Sequence, residues 1–145
     1  MAPLSIAVAG CGIAGLASAI LLSRAGHRVV VADRMAAPRP VGSGLILQPV
    51  GLAVLSHLGL EDEIRLLGQR IDRLFGRALP AGRVVLDVRY DAIGPSAHGL
   101  AVHRAALFHV LHAAALRSPA GFELGFEIAE VECVSGGRPI LIAQD

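Results

Sequence analysis

No lysine occurs in this chain of 145 residues; all 13 basic residues are arginine. That absence excludes the phosphate loop that sets a lysine beside its glycines. It also excludes lysine Schiff-base and lysine-nucleophile chemistry. Cysteine is scarce: Cys11 and Cys133 have neither metal-ligand spacing nor the look of a disulfide framework. A reducing cytoplasm fits that usage. Charge is scarce as well, at 17%, and the formal net charge is only +1. Such a balance argues against nucleic-acid binding and against a polybasic membrane anchor.

Apolar residues are abundant, at 54% with a mean hydropathy of +0.62. The surplus suggests that some apolar surface expects a partner or further chain. The start, MAPLSIAVAGCGIAGLASAILL, imitates an export signal, and Val8-Ala9-Gly10-Cys11 imitates a lipoprotein cleavage box. No arginine precedes it, and glycines at 10, 12 and 15 interrupt it short of the ~20 residues a membrane span needs. The expectation is a cytoplasmic chain with no membrane span.

Leu4 to Ala9 reads as a buried parallel strand, Ile13 to Ala25 as a helix and Arg28 to Ala32 as a second buried strand with Asp33 at its end. Arg34 to Gly44 is Pro- and Gly-rich loop. Leu45 to Gln48 is a brief extended piece. Pro49 to Leu58 reads as a helix with proline in its first turn, and Leu60 to Leu67 as a second short one. Ile71 to Ala78 and Arg83 to Arg89 read as a hairpin, and Gly99 to Val102 as a short strand. Arg104 to Leu116 is a strong helix with Leu107, Val110, Leu111 and Ala114 on one face. Phe122 to Phe126 is another strand. Ile128 to Val134 and Pro139 to Ala143 flank Ser135-Gly136-Gly137 as a second hairpin. No repeat, low-complexity run or domain linker is evident.

Gly10-Cys11-Gly12-Ile13-Ala14-Gly15 fits G-x-G-x-x-G between the first strand and the first helix. Gly10 permits the tight turn, Gly12 lets a pyrophosphate approach the backbone, and Gly15 lets helix and strand pack closely. The helix start, with Ile13 and Ala14, offers free N–H groups and a positive dipole end to phosphate. Asp33 stands where a carboxylate accepts hydrogen bonds from both ribose hydroxyls, and it disfavours a 2′-phosphate there. The residues therefore point to a Rossmann-like α/β unit that binds the ADP half of a dinucleotide, FAD or NAD. A plain βαβ unit without ligand is the alternative. His109 and His112 share a helix face but lack a third ligand, so no metal site is expected. No nucleophile elbow frames a serine.

The strong helix begins only at Arg104, so the unit carries a large insertion after its second strand. At this point the sequence resembles the N-terminal part of the FAD-dependent monooxygenases of the aromatic-hydroxylase (class A) type. Four stretches carry the resemblance: IAVAGCGIAGLASAILLSRAGHRVVVADR, GSGLILQPVGLAVLSHLGL, VHRAALFHVLHAAAL, and the strand region from Phe122 to Val131.

The resemblance implies FAD as cofactor, NAD(P)H as reductant and an aromatic or similar small-molecule substrate. It places Gly10, Gly12 and Gly15 at the pyrophosphate and Asp33, more often Glu in that family, at the ribose. Arg34 falls beside the adenosine end, Gln48 near the flavin side and Ile128 where backbone meets adenine. Arg104 matches the arginine that opens the helix and reaches the phosphate and ribitol region. An arginine in a first helical turn opposes the helix dipole, and an anionic phosphate would account for it. A solvated surface arginine is the other reading. Aromatic content, at 3%, leaves little for stacking on a flavin ring, and no catalytic side chain can be named.

In that family the chain continues with a further strand beside Leu4 to Ala9, later cofactor motifs and the sheet that covers the substrate. The 145 residues are therefore expected to form a single, incomplete FAD/NAD(P)-binding domain without its substrate domain. An open edge on the first strand would invite self-association. A segment of another flavoprotein (reductase, amine oxidase, halogenase) and a catalytically inactive binding module remain as alternatives.

Overall fold

The computed structural model describes residues 2–40, 42–132 and 140–144. Its elements in chain order are β1 (Ser5–Ala9), α1 (Ile13–Arg24), β2 (Arg28–Asp33), β3 (Gly44–Leu47), α2 (Pro49–Leu58) and α3 (Glu61–Arg65). There follow β4 (Gly68–Ile71), β5 (Arg73–Ala78), β6 (Arg83–Arg89), a 3-10 turn (Tyr90–Ala92), β7 (Gly99–His103), α4 (Arg104–Leu116), β8 (Gly121–Leu124), β9 (Ile128–Glu132) and β10 (Ile140–Ala143). They form two compact units: Met1–Val41 with Phe108–Asp145, and Gly42–Leu107. The second unit is the insertion expected after the second strand, and α4 runs from it into the first.

The first unit is the α/β, Rossmann-like part. Its sheet is parallel, in the order β1-β2-β8, with Val8 opposite Val31 and Val31 opposite Phe122. β2 lies at the centre, and its branched run packs Val29, Val31 and Ala32 out of solvent. α1 is the crossover between β1 and β2, burying Leu16, Ala19 and Ile20. Each large apolar side chain so buried contributes ~2 kcal/mol. From α4 come Phe108, Val110, Leu111, Ala114 and Ala115, all buried. The His112 ring stacks on Phe108 at 5.3 Å and meets Phe122 edge-on at 6.2 Å.

β1 departs from expectation. It is parallel but not buried: Ser5, Ala7 and Ala9 are exposed, and Ile6 and Val8 only half-buried. The cause is its place at the sheet edge, because among the described residues it pairs with β2 alone. β9 and β10 pair antiparallel, as the second hairpin requires. Its expected turn at Ser135-Gly136-Gly137 lies outside the described residues.

The second unit holds an antiparallel sheet in the order β3-β7-β4, and the separate β5–β6 hairpin. α2 has the predicted bounds, with Pro49 opening it and Gly59 closing it. α3 is shorter than expected, ending at Arg65 rather than Leu67. β4 was not expected. Its sequence GQRI lacks an apolar run and pairs through its backbone with β7, while Ile71 belongs to it and not to the hairpin. Every residue of β6 is exposed, Val84, Val85, Leu86 and Val88 included. Tyr90, the chain's single tyrosine, is 1% exposed, and a Cβ on Gly99 would stand 3.0 Å from its ring. No helix among the described residues is long and apolar enough to cross a membrane.

Candidate functional site

The glycine turn joins β1 to α1 at the C-terminal ends of the parallel strands, where open α/β sheets bind ligands. Gly10 has φ +101°, a conformation that disfavours any side chain, and its N–H donates to the Ala32 carbonyl at 2.7 Å. Gly12 is extended (φ −89°, ψ −177°), so its value lies in the missing side chain rather than in its dihedrals. A Cβ on Gly10 or Gly12 would meet nothing within 4 Å, so both face open space. A Cβ on Gly15 would strike the Gly10 carbonyl, so this glycine sets how closely helix and turn pack. α1 carries no side-chain N-cap and no acid in its first turn. The N–H groups at its start, around Ile13 and Ala14, therefore face no competing protein anion of that turn.

Asp33 closes the other side. Its Oδ2 accepts the Cys11 N–H at 2.6 Å and its Oδ1 accepts the Met35 N–H at 2.8 Å. Each oxygen keeps lone-pair capacity for a further donor. The acid thus braces the glycine turn as well as standing at the strand end, a role its position in the sequence did not reveal. Cys11 is buried within the turn. Burial, and then the Asp33 charge, push its thiol upward, which keeps it protonated and unreactive.

A cleft of about 570 Å³ opens between these strand ends and the connection from β8 to β9. Ala9, Gly10, Ala32, Asp33, Arg34, Met35, Phe126, Glu127 and Ile128 line it. The structure therefore gathers Gly10, Asp33, Arg34 and Ile128 around one cavity. It adds a residue the sequence did not single out, Glu127, whose Oε1 lies 3.8 Å from an Arg34 guanidinium nitrogen. Phe126 N–H donates to the Asp33 carbonyl at 2.9 Å and holds that connection against β2.

Gln48 and Arg104 belong to the second unit. Gln48 opens α2, and its Oε1 accepts the Tyr90 hydroxyl at 2.8 Å. Nothing local in the sequence pointed to Tyr90, which reaches Gln48 only through the fold. Arg104 N–H donates to the Ser43 carbonyl at 2.9 Å. Its side chain lies over Gly42 (φ +103°), where a Cβ would stand 3.2 Å from Nε. Among the described residues Arg104 has no ion-pair partner within salt-bridge distance. This unit also holds the larger cleft, about 650 Å³, between β3, β4 and β7. Elsewhere in this unit, the Ser56 hydroxyl and then the Arg65 guanidinium hold the Glu61 carboxyl below the usual carboxylate range.

Known proteins resemble this chain in sequence and in fold. The chain is 34% identical over 119 residues to 6-hydroxynicotinate 3-monooxygenase of Bordetella bronchiseptica, covering 80% of this chain and 30% of that one. It is 37% identical over 133 residues to 3-amino-4-hydroxybenzoate 2-monooxygenase of Streptomyces cremeus, covering 88% of this chain and 32% of that one. The chain thus spans about a third of the length of these curated relatives. Among solved structures, tetrameric 2-methyl-3-hydroxypyridine-5-carboxylic acid oxygenase superposes with a TM-score of 0.77 at 24% identity. The match covers 96% of this chain and 35% of that one. P. aeruginosa PqsL superposes with a TM-score of 0.76 at 22% identity, covering 90% and 36%. Those two likenesses speak to fold alone. The family described as FAD binding domain matches residues 4–132, a span that takes in the glycine turn, Asp33 and the whole inserted unit, and the chain belongs to that family.

Proposed function

We propose that this chain supplies the ADP-binding part of the FAD site in a flavin-dependent monooxygenase acting on an aromatic or similar small molecule. One observation carries the reading: a side-chain-free glycine turn at a helix start and a ribose-competent carboxylate meet at the same strand ends, beside one cleft. The residues fit the cofactor. Gly10, Gly12, Ile13, Ala14 and Gly15 would receive the pyrophosphate, and Asp33 the ribose hydroxyls. Arg34 and the backbone at Ile128 would border the adenosine. Gln48 and Arg104 would serve the flavin side.

Bound FAD would supply the redox chemistry of oxygen insertion, with NAD(P)H as reductant and O2 as co-substrate. The chain's own residues bind and orient, and none of them is assigned a proton transfer. The naming of both curated relatives as monooxygenases supports the activity of the whole protein. The 145 residues then form the N-terminal portion of one FAD/NAD(P)-binding domain, with the substrate region supplied elsewhere. The near-zero net charge supports a partner list without nucleic acid, and cysteine usage supports a cytoplasmic setting.

Calorimetric titration with FAD, ADP and NAD tests this, using Gly12→Val and Asp33→Ala as controls. Saturable FAD and ADP binding that falls at least tenfold in either variant is the expected result. A folded chain that binds none of the three would overturn the reading.

A further inference from the structure

The adenosine cleft carries two carboxylates and a single guanidinium: Asp33, Glu127 and Arg34. Arg34 directly follows β2, and Glu127 lies in the connection between β8 and β9. Their charged ends face each other at 3.8 Å, with side chains 74% and 50% exposed. The placement is fixed by backbone. The Phe126 N–H to Asp33 carbonyl bond, at 2.9 Å, ties together the residues immediately before Glu127 and before Arg34.

We propose that Glu127 is a specificity residue of this cleft, occupying Arg34 and so selecting against an adenosine that carries a 2′-phosphate. The proposal rests on the reading of the cleft as an ADP site. An acid at the end of the second strand accepts the ribose 2′-hydroxyl and repels a phosphate there, whereas a neighbouring arginine is the group that accommodates such a phosphate. In this cleft the arginine is present. Glu127 competes for it, which is a repulsive device against the wrong ligand rather than an added attraction for the right one. The separation is a charge contact, too long for a hydrogen bond, and the pair is exposed. The competition is therefore modest and weakens with salt.

The test uses the whole chain and two probes, ADP and its 2′-phosphorylated analogue, in low and high salt. Wild type is expected to prefer ADP. Glu127→Gln should raise affinity for the 2′-phosphorylated probe about threefold at low salt and change ADP affinity less. The gain should shrink at high salt and disappear in the Arg34→Ala, Glu127→Gln double variant. An unchanged ratio in a Glu127→Gln chain that still binds ADP overturns the proposal and leaves the cofactor reading standing. A gain that survives Arg34→Ala overturns it too, since charge removal without Arg34 would then be the cause. Failure of wild type to bind ADP removes the cofactor reading and the proposal together.

Discussion

Gly12 and Gly15 are three positions apart and answer to different constraints. Gly12 looks into open space, while Gly15 presses on the Gly10 carbonyl. Gly12→Ala should therefore keep the fold and weaken ADP binding. Gly15→Ala should cost roughly 1–3 kcal/mol of stability, because overpacking forces backbone to move. Thermal unfolding and ADP titration of both variants would separate the two roles, and equal loss of stability in both would contradict the geometry. The spacing of these glycines and the acid after the second apolar run were legible in the sequence because the motif is local. The second duty of Asp33, toward the Cys11 and Met35 amides, was not, since it depends on how the turn folds over the strand end. Glu127 and Tyr90 were missed for a related reason: each meets its partner across a long stretch of chain, and nothing adjacent marks either.

At the scale of single elements, helices with distinct punctuation were read to their ends. α2 begins at Pro49 and stops before Gly59, and α4 keeps one apolar stripe from Leu107 to Ala114. α3 and β4 were harder. The apolar Leu66 and Leu67 extended the expected helix, yet both are exposed, and the polar GQRI gave no strand signal. α3 also carries an acid sensitivity. The Ser56 hydroxyl and Arg65 lower the Glu61 carboxyl, and a carboxyl depressed in the folded state adds stability above its unfolded value, about 4.3. That contribution is lost as pH falls through the depressed folded value. With Arg65 45% and Glu61 24% exposed in their side chains, it should amount to less than about 1 kcal/mol. Unfolding measured from pH 7 down to pH 3 should show a smaller acid loss in Glu61→Gln than in wild type. Identical profiles would remove Glu61 from the account.

For the whole molecule, the open side of β1 matters most. The sequence marked Leu4 to Ala9 as an apolar strand, but burial depends on neighbours, and β1 has one on a single side among the described residues. Such an edge offers unpaired backbone groups to another chain. Sedimentation velocity at rising concentration should show self-association, reduced by Ala7→Lys on the exposed edge. A monomer at all concentrations would mean the edge is otherwise protected.

The position of β2 also imposes an order of events. Its partner β1 is near in the chain, so the pairing of Ser5 with Arg28 and of Val8 with Val31 closes only a short loop. Its other partner, Gly121 to Leu124, arrives after the entire second unit. Loop closure over that distance costs entropy that local contacts do not, and non-local pairing is slow to form. During synthesis the glycine turn would take shape early, with β2 still bare on one side. The cleft that includes Glu127 and Ile128 would follow only when β8 and the start of β9 have left the ribosome.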